Sequence, residues 1–290
     1  MATRTYLLPL LSSLALCFGL QFVALRAVGG RTLKSESNFF SSLARIQAAT
    51  TGEVRTMLLG SSITGRLPDR VQGFEGFANM GSDGGSAVDV LRPLDRGVIP
   101  VAPTLVIEAN KLDRALDPRP SEIGLAMEEP WFELGVRLPL LSAYARPSAF
   151  LYSVLLAAKI GRFELPMYNN DLRVTSWPRL VPEAEGNVVS GDQRRLVDEL
   201  SSIIARLRAK GVRVVIVWLP PARDASHPLP GWILSLAAQS GAEWWDMGEE
   251  ADPRLVTLTD GVHMSAVSAQ RTVASLRKGL GAEPPLHLRE

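Results

Sequence analysis

The sequence has one cysteine, Cys17, among its 290 residues. No intramolecular disulfide can form, and no cysteine metal cluster can be built. Histidine is almost as scarce: His227, His263 and His287 are the three in the chain. An excess of charge of one sign is lacking too. Lys and Arg number 31 against 30 Asp and Glu, a formal net charge of +1, with no long basic block. That argues against nucleic acid as a partner. No internal repeat or low-complexity tract breaks the chain.

What is present begins with residues 6–25, a run that carries no charge. Its length is about that of a helix crossing a bilayer, and Ser12, Ser13 and Gln21 are too few to make a polar face. Residues 1–30 are therefore expected to be a signal anchor or signal peptide. Ala27-Val28-Gly29 offers a weak cleavage pattern, but the length of the run favours an uncleaved anchor. Membrane attachment with the remainder, 31–290, on the extracytoplasmic (periplasmic) side is the expectation. It rests on analogy to N-terminal anchors, because Arg4 precedes the run while Arg26, Arg31 and Lys34 follow it.

Beyond a helix expected around residues 39–46, strand and helix signals alternate. Strands are expected at 54–59, 73–80, 104–109, 212–219 and 242–246. The run at 212–219, stopped by Pro220 and Pro221, reads as a parallel strand buried on both faces. Leu196, Val197, Leu200, Ile203, Ile204 and Leu207 make an apolar helical stripe, opened by a capping box at Ser190 and Gln193. Helices are also expected over 232–238 and 265–280. This alternation predicts an α/β fold: a three-layer α/β/α sandwich around a five-stranded parallel sheet, flavodoxin-like in strand order, with the strands' C-terminal ends on one rim. One segment departs from the alternation. Residues 112–186 form an insertion rich in Pro, Trp and Tyr, with an apolar helix at 148–160. It reads equally as a cap that enlarges the core or as a lid or acceptor-binding region over the rim.

Four short segments follow predicted strands or precede the last helix. Gly60-Ser61-Ser62-Ile63-Thr64 places a serine on a sharp strand-to-helix turn; taken alone, it reads first as a phosphate-binding or plain turn with an N-capping serine. Asn79-Met80-Gly81-Ser82-Asp83-Gly84-Gly85 is a glycine-rich loop whose N–H groups can face a developing oxyanion. Glu108-Ala109-Asn110 brings a side-chain amide to the same rim. Asp260-Gly261-Val262-His263 supplies a base and a carboxylate to orient it, which a serine nucleophile needs. No second ligand pair accompanies this Asp-x-x-His, so no metal and no cofactor is expected.

In this order the segments resemble the SGNH/GDSL hydrolase superfamily, whose blocks run Gly-Asp-Ser, a glycine, Gly-x-Asn-Asp and Asp-x-x-His. The resemblance spans roughly residues 54–280 without the insertion. It implies Ser62 as nucleophile, His263 as base, Asp260 as its orienting carboxylate, and an oxyanion hole from the Ser62 and Gly84 N–H groups with the Asn110 amide. The chain departs from the pattern at Ser61, where the family has Asp, at Glu108, where it has Gly, and at Lys111, where it has Asp. Gly-Ser-Ser behind an N-terminal anchor is similar to membrane-associated relatives that act in O-acylation of cell-envelope polymers. The implied function is a serine esterase or acyl-transfer enzyme of the cell envelope, acting on an ester such as an O-acylated carbohydrate, with a membrane acyltransferase as candidate partner. The alternatives are an O-acyltransferase of an envelope polysaccharide, or a catalytically silent binding or assembly protein that keeps the fold.

Overall fold

In chain order the strands are β1 (Thr56–Gly60), β2 (Phe77–Gly81), β3 (Thr104–Glu108), the two-residue β4 (Leu172–Arg173), β5 (Arg213–Trp218), β6 (Glu243–Asp246) and the two-residue β7 (Thr257–Leu258). The apolar runs at β1 and β2 become strands buried from end to end, and those at β3 and β5 are buried beyond their first residue, while the edge strand β6 is exposed or half-buried. The computed structural model describes residues 2–27, 35, 37–117, 119, 121–160, 172–173, 190–220, 230–247, 256–258 and 262–281. Five strands form one parallel sheet in the order β2-β1-β3-β5-β6. The expected α/β class and five-stranded parallel sheet are therefore present. β4 and β7 pair antiparallel in a separate ladder.

Among the described residues the α-helices are α1 (Ala2–Ala27), α2 (Asn38–Ala49), α3 (Ser62–Gly65), α4 (Val88–Asp95), α5 (Glu122–Glu128), α6 (Pro130–Arg137), α7 (Pro147–Ile160), α8 (Gly191–Ala209), α9 (Gly231–Ser240) and α10 (Ala266–Gly279), with short 3-10 turns between some of them. α8 starts at the expected capping box: Ser190 Oγ accepts from Gln193 N, and the Gln193 side chain accepts from Ser190 N. β2 is shorter than its apolar signal suggested. Gly73 and Gly76 have φ of 91° and 81°, left-handed values that strand backbone does not adopt, so pairing begins only at Phe77. α4 hides its helical character behind Pro93, yet it buries Val88, Leu91 and Leu94 as one stripe.

The chain gathers into two compact units. The larger, residues 49–128 with 167–290, holds the sheet. On one face Leu58, Val106 and Val217 share an apolar cluster with Val273 and Leu276 of α10. The alternating residues Leu59, Ile107 and Ile216 are equally buried on the other face, as a parallel sheet covered on both sides requires. α4 is tied to α8 by two forked ion pairs, Arg92 with Glu199 and Arg206 with Asp95. The Arg206 guanidinium holds the Asp95 carboxyl below its usual range.

The smaller unit is residues 1–48 with 129–166. Buried Gln47 of α2 organises it, donating to Phe132 O (3.1 Å) and accepting from Ala143 N (2.7 Å). The Arg146 guanidinium stacks 3.3 Å above the Phe40 ring. α1 includes the span Tyr6–Ala24, long and apolar enough to cross a membrane or serve as a signal sequence, and none of that span is buried.

Candidate active site

β1, β2, β3, β5 and β6 run parallel, so their C-terminal ends share one rim. Ser62 opens α3 directly after β1, across the Gly60-Ser61 turn. His263 lies between β7 and α10, and its Nε2 is 2.9 Å from Ser62 Oγ across 201 residues of sequence. Both side chains are half-buried. The distance suits direct proton transfer from hydroxyl to imidazole.

The loop that carries His263 is clamped at both ends. Leu258 and Met264 form an antiparallel bridge, and Ser265 N donates to Thr257 O (2.8 Å). Thr257 N donates to Ser268 Oγ (2.8 Å), tying β7 to the first turn of α10. Buried Met264 accepts a hydrogen bond from Thr272 Oγ1 at its sulfur, which pins the residue after the histidine to the helix. Asp260, predicted to orient the histidine, lies outside the described residues, as do His227 and His287.

The serine turn is organised by a residue that the motif reading treated only as a departure. Glu108, at the end of β3, is 1% exposed and accepts four hydrogen bonds from the turn. Ser61 N (2.9 Å), Thr64 N (3.1 Å) and Thr64 Oγ1 (2.6 Å) donate to Oε2, and Ser61 Oγ donates to Oε1 (2.7 Å). Ser61 Oγ in turn accepts from Ile63 N (3.1 Å), capping α3. The residues on either side of Ser62 are thus fixed to one carboxylate. Gly60 makes room for this: a Cβ there would lie 2.1 Å from Thr64 Oγ1 and 2.3 Å from Glu108 Oε2. The signal available in the sequence was a charged residue closing an apolar strand, since a buried carboxylate must find donors.

β2 supports the turn from its other side. Asn79 Nδ2 donates to Thr64 O (2.7 Å) and Leu67 O (2.6 Å), while Asn79 Oδ1 accepts from Gly81 N (2.9 Å). Replacing Asn79 by Ala removes all three of these buried hydrogen bonds, while Thr64 O keeps its bond from Leu67 N (2.8 Å). It is expected to cost about 2–4 kcal/mol, read as a lowered denaturation midpoint of the full chain in detergent.

Of the predicted oxyanion donors, Gly84 lies in the loop after β2 with φ of 84°, a conformation suited to glycine. Among the described residues neither the Ser62 nor the Gly84 backbone N–H is taken by a hydrogen bond. Asn110 is buried at the end of β3, where Nδ2 donates to Leu219 O (2.7 Å) and Oδ1 accepts from Leu219 N (2.8 Å). The amide clamps β3 to the end of β5 with one of its two protons.

Both ends of the insertion reach the loops of this site. Arg114, near its start, approaches Gly85 O at 3.5 Å with Nη1. Near its end, β4 pairs with β7, with Leu172 opposite Leu258 and Arg173 opposite Thr257. Of the insertion's Trp and Tyr residues, Trp131 is exposed and Tyr144 and Tyr152 are half-buried, all within the smaller unit. Tyr168 and Trp177 fall outside the described residues. Among the described residues no group of His, Cys, Asp and Glu is arranged to hold a metal ion.

Comparison with protein-family models, with curated proteins and with solved structures finds no match. The functional reading therefore rests on the residues of the site and their geometry.

Proposed function

We propose that this chain is a membrane-attached serine esterase or acyl-transfer enzyme of the SGNH/GDSL type. The observation that carries the reading is the 2.9 Å approach of His263 Nε2 to Ser62 Oγ, made between the two residues that the motif order singles out. The strand order β2-β1-β3-β5-β6 supports the flavodoxin-like, three-layer α/β/α arrangement.

In this reading Ser62 Oγ attacks the ester carbonyl carbon while its proton passes to His263 Nε2. The oxyanion is held by the N–H groups of Ser62 and Gly84 and by the remaining Asn110 amide proton. Collapse breaks the ester C–O bond, and His263 returns the proton to the departing alcohol. Water or a second hydroxyl then attacks the acyl-serine, giving up its proton to His263, which passes it to Ser62 Oγ as the bond between acyl carbon and Ser62 Oγ breaks. Asp260 is assigned the task of holding His263 with its proton on Nδ1, so that Nε2 can accept.

A particular observation favours transfer to an acceptor, such as a sugar hydroxyl, over hydrolysis. The insertion touches the Gly84–Gly85 loop at one end and the strand leading to His263 at the other. An acceptor bound by the insertion is then coupled to both the oxyanion loop and the base, and water is easier to exclude. The substrate class proposed is an ester such as an O-acylated envelope carbohydrate. The catalytic unit is placed on the extracytoplasmic side, with a membrane acyltransferase as acyl donor.

The test is covalent labelling of the full-length chain in detergent with a fluorophosphonate. Stoichiometric labelling is expected, lost in Ser62→Ala. A folded wild-type chain that takes no label overturns the enzymatic reading and leaves a silent binding or assembly module.

A further inference from the structure

The smaller unit turns apolar side chains outward where a soluble helical hairpin would turn them in. On α6 and its C-cap, Trp131, Leu134 and Leu138 recur at i, i+3 and i+7, and all three are exposed. That is the spacing of one helix face. On α7, Leu151 and Leu155 are 58% and 61% exposed at i and i+4, again one face. Leu141, in the link between the two helices, is exposed as well. Runs of exposed large apolar residues at helical spacing mark an interaction surface.

What meets that surface is indicated by its attachment to α1. Gln21 Nε2 donates to Leu140 O (3.1 Å) and also to Ala145 O. These two carbonyls lie in the link between α6 and α7, so the link is fixed beside Gln21. Gln21 is three residues before the end of the apolar span Tyr6–Ala24, about 5 Å along a helix. Leu138 and Leu141 are within two residues of Leu140, so they lie within about 8 Å of it along the chain. A helix of that length crosses the hydrocarbon of a bilayer almost completely. Its Gln21 end, with the link attached, then sits at the boundary between acyl chains and headgroups.

We propose that the exposed faces of α6 and α7 are a membrane seat: a lipid-bilayer surface is their partner, continuous with the lipid around α1. The proposal rests on α1 being retained in the membrane. Trp131 suits the interface, where an indole meets both acyl chain and water. Lys159, exposed in the last turn of α7, can reach headgroup phosphates while its stem lies along apolar surface. Gln21 has a second meaning in this arrangement. A polar side chain near the end of an apolar span is satisfied by carbonyls of the hairpin, so the membrane helix and the seat are joined by hydrogen bonds rather than by a flexible tether.

The test uses the full-length chain with Cys17→Ser, reconstituted in phosphatidylcholine–phosphatidylglycerol vesicles. Single cysteines at Leu155, Leu10 and Ser202 carry an environment-sensitive nitrobenzoxadiazole label. All three positions are exposed, so the substitutions disturb no packing. The label at Leu155→Cys is expected to be blue-shifted and to lose at least half of its emission when the lipid acyl chains are brominated. Leu10→Cys, in the span of α1, should behave likewise, and Ser202→Cys, on α8, should be unaffected. Quenching at Leu10→Cys but not at Leu155→Cys overturns the seat and leaves α1 as a bare anchor. A blue shift at Leu155→Cys without bromolipid quenching overturns it too, because protein rather than lipid then covers α7. No quenching at Leu10→Cys removes the anchor and the seat together. None of these outcomes depends on ester chemistry, so the Ser62 labelling experiment stands or fails separately.

Discussion

His263→Ala is expected to lower ester turnover by at least about a thousandfold while leaving the chain folded. In a serine–histidine pair the imidazole acts twice, accepting the serine proton and then protonating the leaving group, and removing one member forfeits most of the catalysis. The structure gives His263 the position for both steps, 2.9 Å from Ser62 Oγ and only half-buried. The loop around it is held by backbone and hydroxyl groups of Thr257, Leu258, Met264, Ser265 and Ser268, none of which depends on the imidazole. Loss of fold is therefore not the expected route to inactivity. Fluorophosphonate labelling separates the alternatives. His263→Ala should label slowly, Ser62→Ala not at all, and the two together should be no worse than Ser62→Ala in turnover, because the residues act as one unit. A His263→Ala chain that keeps wild-type turnover removes the pair from the chemistry despite its geometry.

How far this site was legible in the sequence varied by residue. Ser62 and His263 were readable because strand-ending turns and an Asp-x-x-His before a terminal helix are local patterns, and parallel topology brings strand ends to one rim whatever their separation. β1, β2, β3 and β5 were readable because each is largely buried on both faces, with β2 trimmed only by two left-handed glycines, whereas the edge strand β6 is exposed or half-buried throughout. α4 was not, because Pro93 reads as a breaker while its ring is buried in the fold. The β4–β7 ladder was not, because two-residue strands carry no periodicity. Asn110 was read for the amide it could offer, but its bond to Leu219 depends on the β3–β5 register, which no local pattern encodes. Glu108 was the clearest loss. Read against a family pattern it is a substitution; in the structure Ser61 and Glu108 are partners, and the carboxylate reaches the serine turn from the neighbouring strand.

That partnership leads to a graded expectation for Glu108. The carboxylate accepts four hydrogen bonds in a site closed to water, from donors that include both Ser61 and Thr64. Glu108→Leu strands all four donors and is expected to destabilise the chain by about 3–5 kcal/mol, enough to compromise folding. Glu108→Gln is the informative variant. Its amide oxygen can take the Oε2 position and keep the Ser61 N, Thr64 N and Thr64 Oγ1 bonds. Its NH2 must then face Ser61 Oγ, which at present donates to the carboxylate and accepts from Ile63 N. Ser61 Oγ has to reverse its role or turn away, and the backbone that aims Ser62 Oγ shifts with it. A displacement of about 1 Å at a reacting atom can cost about a hundredfold in rate. Glu108→Gln is therefore expected to fold, to keep substrate KM within about threefold, and to lose ten- to a hundredfold in kcat and in phosphonate labelling rate. Ser61→Ala removes one donor and leaves Oε2 fully bonded, so its loss should be smaller than that of Glu108→Gln. Were Glu108→Gln to lower the melting temperature but leave kcat and labelling rate unchanged, Glu108 would be a packing residue and not one that aims the nucleophile.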